Sequence, residues 1–215
     1  TLLGLEAMVV TIEVDNFDGG QSSRFTIVGL PDNAVKESQE RVQSALRVNG
    51  YKAPFKSVVI NLAPADIRKE GTGFDLPMAI GVMLSFEFLQ IDHPERFMFV
   101  GELGLDGSIL PVKGILPISI KARELGYEAL FVPAENAREA AVVNKLKVYA
   151  VKHLNDIVKF FNGSVPIEPT LVNTREEFYS QLFNFESDFS EVRGQENVKR
   201  AFEVAAAGGH NIILV

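Results

Sequence analysis

Lys69-Glu70-Gly71-Thr72-Gly73-Phe74-Asp75-Leu76-Pro77 runs directly into Met78-Ala79-Ile80-Gly81-Val82-Met83-Leu84-Ser85-Phe86, and this stretch decides how the chain folds. Asp75 stands at a cap position, where a carboxylate accepts first-turn amides, and Pro77 falls in that turn, where a missing N–H is harmless. The body Met78–Phe86 is apolar nearly all round, which predicts a helix buried at the centre of a domain. Upstream, Ser57–Leu62 is a continuous apolar run that reads as a core strand, joined to the helix by the polar loop Asp66 to Gly73.

Residues 7–14 and 23–29 alternate apolar and polar. Asp15-Asn16-Phe17-Asp18-Gly19-Gly20 between them carries turn chemistry, which predicts a hairpin. Pro31-Asp32 opens an amphipathic helix to Val48, with Val35, Val42, Ala45, Leu46 and Ala34 facing inward and Asn49-Gly50 ending it. Phe97–Glu102 and Ser108–Val112 predict a second hairpin across Leu105-Asp106-Gly107. Then come a helix over Ile115–Leu125 closed by Gly126, a strand over Ala129–Val132 and a short helix over Ala134–Val143. A strand over Lys147–Val151 and a helix over Leu154–Phe161, ended by Asn162-Gly163, follow. This mixture predicts an α+β domain with a mixed sheet over residues 1–163.

Beyond Gly163 the texture changes. Ser164–Thr174 carries Pro166 and Pro169 without periodicity, which predicts an extended linker, set at 164–187. Residues 174–196 hold six acids against two bases with Phe178, Leu182, Phe183 and Phe185 interleaved, a pattern for a linker helix lying on a neighbour. Asn197–Ala207 has a strong helix pattern. Gly208-Gly209-His210-Asn211 then turns into Ile212–Val215, read as the first core strand of a nucleotide-binding domain, with no phosphate loop after it. Residues 188–215 are therefore expected to open an ATPase domain, and the chain to be a fragment of a longer protein.

With 47% hydrophobic residues and 23% charged in 215, the chain can bury a core as ordinary globular material. The absence of Cys excludes disulfides and thiolate metal sites and fits a cytoplasmic address. No apolar run approaches the roughly 18 residues that span a membrane. A net charge of -7 argues against a generally basic, phosphate-tracking surface.

Gly101-Glu102-Leu103-Gly104-Leu105-Asp106-Gly107-Ser108-Ile109-Leu110-Pro111-Val112, Gly114 and Phe131-Val132-Pro133-Ala134-Glu135-Asn136 together resemble the proteolytic domain of Lon. Lys69–Ala79 resembles its nucleophile loop and core helix. The match narrows with Gly29-Leu30-Pro31-Asp32, Asn61-Leu62-Ala63-Pro64-Ala65-Asp66 and Lys69-Glu70-Gly71-x-Gly73-Phe74-Asp75-Leu76-Pro77. These resemble the magnesium-chelatase-like ATPases of the YifB/ComM family, as do Asp188–Glu196 and Ala205–Asn211. The resemblance implies a Lon-like domain (ribosomal-protein-S5-domain-2-like) ahead of an AAA+ module. It further implies that the intact protein is a hexameric motor, driven by ATP and Mg2+, acting on DNA in branch migration.

Lon-type hydrolysis needs a hydroxyl nucleophile and a neutral Lys to take its proton. The resemblance places Gly73 at the nucleophile and Leu116 at the Lys, which implies no catalytic residue and a non-catalytic module. One rival is an active Lon-type peptidase with a shifted dyad, Thr72 and Lys113, although a 1 Å misplacement already costs catalysis heavily. Another is the motor subunit of a metal chelatase. Asp75 reads as a helix cap rather than an acid catalyst. Gly71-x-Gly73 reads as a turn rather than a phosphate cradle. His93, His153 and His210 lack partners at ligand spacing, so no metal site is expected. Arg68-Lys69 and Lys145-x-Lys147 read as solvated basic faces. In AAA+ proteins the segment matching Val192-Arg193-Gly194-Gln195 packs around adenine, and the resemblance implies that role here only with the rest of the ATPase.

Overall fold

Strands that are apolar on both faces take central places, and that one rule arranges the first half of the chain. The computed structural model describes residues 1–4, 6–19, 24–52, 56–173 and 188–213. Two compact units divide it, Thr1–Val172 and Asn173–Val215.

In the first unit β1 (Leu2–Leu3) and β2 (Glu6–Ala7) form a short antiparallel ribbon. β3 (Thr11–Asp18), β4 (Phe25–Val28) and, after helix α1 (Asn33–Val48), β5 (Lys56–Ala63) make a sheet in the order β3-β5-β4. β5 runs antiparallel to β3 and parallel to β4, with α1 as the crossover. The expected hairpin between residues 7–14 and 23–29 is therefore incorrect: β5 lies between those strands. Val58, Ile60 and Leu62 are buried, so β5 needs a neighbour on each side. Asp15–Asp18, expected as a turn, instead continue β3, with Asp15 opposite Val59 and Asp18 opposite Lys56. Both aspartates are exposed; the alternation holds from Thr11 to Phe17 and ends at Asp18, which is exposed beside the exposed Phe17.

Asp32 caps α1, its carboxylate accepting the Val35 N–H at 2.8 Å. Val35, Val42, Ala45 and Leu46 form the buried stripe as expected. Helix α2 (Asp75–Ser85) is the central helix, burying Leu76, Met78, Ala79, Ile80, Val82 and Met83. It lies so close to β3 that a Cβ added at Gly81 would stand 2.6 Å from Val14 Cγ2.

The second sheet is wholly parallel. It joins β6 (Phe97–Phe99) to strands from further along the chain, while β7 (Glu102–Leu103) and β8 (Ile109–Leu110) form a separate antiparallel ribbon. The expected second hairpin is thus only half formed. Phe97 and Phe99 leave it because their rings pack on Phe131, with the Phe99 and Phe131 centroids 5.0 Å apart. α3 (Ile115–Glu124), β9 (Ala129–Pro133), α4 (Ala137–Ala141), β10 (Lys147–Val151) and α5 (Leu154–Phe161) follow, in the sheet order β10-β9-β6. The expected helix over Ala134–Val143 begins as a 3-10 turn, Ala134–Asn136. The Asn136 side chain is spent on both backbone groups of Val112, at 2.9 and 3.0 Å. The class is α+β, as expected.

In the second unit a 3-10 turn (Phe189–Glu191) precedes α6 (Glu196–Ala207), and the Phe189 and Phe202 rings lie 6.0 Å apart. Of the expected linker helix, residues 174–187 lie outside the described residues. Ile212 and Ile213 carry no strand, and the rest of the strand expected there lies outside them too.

Gly29 stands at φ +100, and a Cβ there would meet Leu62 O at 2.3 Å. Gly29→Ala adds left-handed strain to a clash with rigid backbone, and is expected to destabilise the domain by about 2–4 kcal/mol. Urea unfolding checks it: a loss below about 0.5 kcal/mol would contradict that packing.

Candidate functional site

A cleft of about 990 Å³ opens beside the loop Glu70–Phe74. α2, the start of β3, β6 and the segment Pro111–Lys113 also border it. The loop is laced to the strand opposite. Gly101 N–H donates to Gly73 O at 3.2 Å, and Leu76 N–H donates to Gly101 O at 3.0 Å. That second bond satisfies a first-turn amide of α2 from the segment between β6 and β7, and no side-chain cap is used.

Asp75 is accordingly not the cap that its position suggested. It is the first residue of α2, with its side chain wholly buried. Arg41 of α1 grips it with two bonds, Nε to Oδ2 at 2.5 Å and Nη2 to Oδ1 at 3.0 Å. Leu103 N–H adds a third at 3.1 Å. Arg41 Nη2 also reaches Ala34 O at 3.1 Å and Ser38 Oγ at 3.2 Å. The hydrogen bond to Asp75 raises the pKa of the Arg41 guanidinium; burial opposes this, and the charges of Asp75, Glu102 and Glu37 add to it. Those three bonds take up three of the roughly four lone-pair sites of the carboxylate, and Asp75 is not among the residues that line the cleft.

Thr72 and Gly73 line the cleft, and so does Lys113, whereas Leu116 lies outside its lining on the exposed side of α3. The Thr72 hydroxyl donates to Glu102 Oε2 at 2.5 Å. The Lys113 side chain is exposed. A Cβ at Gly73 would lie 3.4 Å from Val100 Cγ1, so space for a side chain exists but the hydroxyl does not. Thr72, Gly73 and Lys113 thus share the lining of one cleft, and the hydroxyl is committed to a carboxylate.

The expectation of a solvated Arg68-Lys69 face fails at Lys69. Arg68 is exposed and pairs with Glu70 at 3.2 Å, but Lys69 is wholly buried and its ammonium donates to Pro64 O. Its N–H donates to Leu30 O at 3.1 Å, and its carbonyl accepts from Asp32 N–H at 3.0 Å. Three sequence motifs, at 29–32, 61–66 and 69–77, thus meet at one lysine for a structural reason. Lys145 and Lys147 are exposed. His93 pairs with Glu95 at 3.0 Å on the surface, and His153 caps α5 through the Asn155 N–H at 3.1 Å. His210 is exposed. Among the described residues no three His, Cys, Asp or Glu side chains gather as a metal site. None of the helices described is long and apolar enough to cross a membrane.

In the second unit Val192, Arg193, Gly194 and Gln195 are all exposed. Gly194 at φ 71 and Gln195 at φ 58 turn the backbone into α6.

Comparison with known proteins follows the same division. The family model of the ChlI subunit of Mg-chelatase matches residues 12–136, and a second model, magnesium chelatase subunit ChlI, matches 188–215. Competence protein ComM of Haemophilus influenzae is 39% identical over 215 residues, covering 99% of this chain and 41% of the relative. The uncharacterized protein YifB of Salmonella typhimurium is 37% identical over 213 residues, covering 99% and 40%. Lon protease of Finegoldia magna is 24% identical over 163 residues, covering 70% and 20%. The chain therefore spans about two fifths of the length of its ComM and YifB relatives.

Asp75→Ala leaves the Arg41 charge facing an emptied, dry site, and is expected to cost about 3–5 kcal/mol in chemical denaturation. A helix cap would lose only about 1 kcal/mol. A loss that small would return Asp75 to the capping role.

Proposed function

We propose that this chain, which belongs to the family of the ChlI subunit of Mg-chelatase together with the ComM and YifB proteins, contributes a non-catalytic Lon-like module to an ATP-driven motor on DNA. One observation carries the first half. At the Lon-type nucleophile position stands Gly73, and the one neighbouring hydroxyl, Thr72, is held by Glu102. A carboxylate is a far weaker base than the alkoxide it would have to generate, and a lysine base works only when desolvated. Lys113 is exposed. The module then serves as a rigid surface for subunit or partner contact.

The second half rests on kinship, and the Haemophilus influenzae relative, a competence protein by name, supports it. The whole protein is a hexamer using ATP with Mg2+, with a cytoplasmic address. Val192–Gln195 would lie against the adenine: their exposed turn into α6 offers backbone groups and one apolar side chain. The chain contains no Gly-Lys pair, so the amides and ammonium that hold phosphates are not among these residues. The isolated chain should accordingly bind ATP negligibly.

Two assays test the two halves. The 215-residue chain is expected to leave casein uncut, indistinguishable from its Thr72→Ala variant; cleavage that Thr72→Ala abolishes would establish the shifted-dyad peptidase instead. Full-length protein is expected to move a four-way DNA junction only with hydrolysable ATP. ATP turnover without any effect on junctions, forks or duplexes would refute the DNA motor.

A further inference from the structure

The cleft beside Gly73 is bordered by open sheet edges, which a scaffold does not require. Among the described residues β6 is bonded on one side only, to β9, and β3 only to β5. At the two ends of β6 the Val100 N–H donates to Phe131 O at 3.0 Å, and Arg96 O accepts from Glu128 N–H at 2.9 Å. The alternate residues Phe97 and Phe99 therefore turn their backbone groups away from β9. Pro94 O takes the Phe97 N–H. In that register Phe97 O and the N–H and O of Phe99 face away from β9, and among the described residues no second strand pairs with β6. Both residues line the cleft, as do Thr11 and Ile12 of β3. An edge with unpaired amides and carbonyls is a template for another extended chain.

The other linings fix the chemistry of that chain. Pro77, Ile80 and Leu84 of α2 are apolar, which suits alternate side chains of a strand. The charged groups are Asp32, Glu70, Glu95 and Glu102 against Lys113, Lys121 and the Thr1 amino group, an excess of carboxylate. Three of the acids share one wall: Asp32 N–H bonds Lys69 O beside Glu70, and Thr72 bonds Glu102. Glu70 has Arg68 as an exposed partner, and such surface pairs exchange at little cost.

We propose that this cleft binds an extended polypeptide segment bearing lysine or arginine, which adds a strand to β6 through Phe99. Its basic side chains meet the wall of Asp32, Glu70 and Glu102, and its apolar ones meet α2. The carboxylate wall repels a nucleic acid from the same place. This goes beyond the motor function and stands without it, because it needs only the edge and the wall.

Fluorescence anisotropy tests it, with the 215-residue chain and a labelled peptide of about eight residues alternating valine and lysine. Saturable binding is expected, weakened about tenfold or more when glutamates replace the lysines and about threefold by Glu70→Lys in the protein. N-methylation of every second peptide amide should abolish binding, while methylation of the intervening amides should not. Absence of saturable binding, equal affinity for the glutamate peptide, or methylation effects without alternation would overturn the assignment. Mass spectrometry of the bound peptide separates this from the non-catalytic function: an intact peptide is expected, whereas a cut one would remove that function and leave the binding site standing.

Discussion

Burying the Asp75 carboxylate away from water costs several kcal/mol unless each oxygen is met, and the arrangement around the cleft depends on how that is done. Arg41 supplies a bidentate fork from α1, and Leu103 N–H supplies a third bond from β7. Three elements that share no local contact in sequence are thereby fixed to one point. The neighbouring rungs follow from the same alignment. With Leu103 held on Asp75, Glu102 falls opposite Thr72 and Gly101 opposite Gly73. The loop that carries a nucleophile in a Lon-type peptidase is here pinned from both sides, with its one hydroxyl already engaged.

Much of this architecture was legible in the residues. The all-round apolar Met78–Phe86, the stripe of α1 and the strands Ser57–Leu62 and Lys147–Val151 declare themselves through periodicity, which reports burial directly. Strand partnership does not. Asp15–Asp18 has the chemistry of a turn, yet continues β3, because the demand of β5 for two neighbours is a tertiary effect that no local window contains. Phe97–Phe99 parted from its expected hairpin for a similar reason, the ring packing on Phe131.

The site was less legible than the fold. Asp75 sits where caps sit, and its actual partner lies 34 residues earlier. A signal existed: Ser38 and Arg41 interrupt the inner stripe of α1, and polar residues on a buried stripe require polar company. Lys69 misled in the same way, since a basic pair next to a loop is ordinarily solvated, whereas here its second member is buried against Pro64 O. In both cases the motif was visible and its cause was a packing fact.

What unites these features is that side chains at a protease-shaped cleft are spent on structure. A serine-type reactive probe addresses that point without depending on the choice of a substrate. After exposure of the chain to an alkyl fluorophosphonate, intact-protein and peptide mass spectrometry should find no phosphonyl adduct on Thr72, because its proton is directed to Glu102 rather than to a desolvated lysine. A stoichiometric adduct on Thr72, lost in Lys113→Ala, would contradict the account.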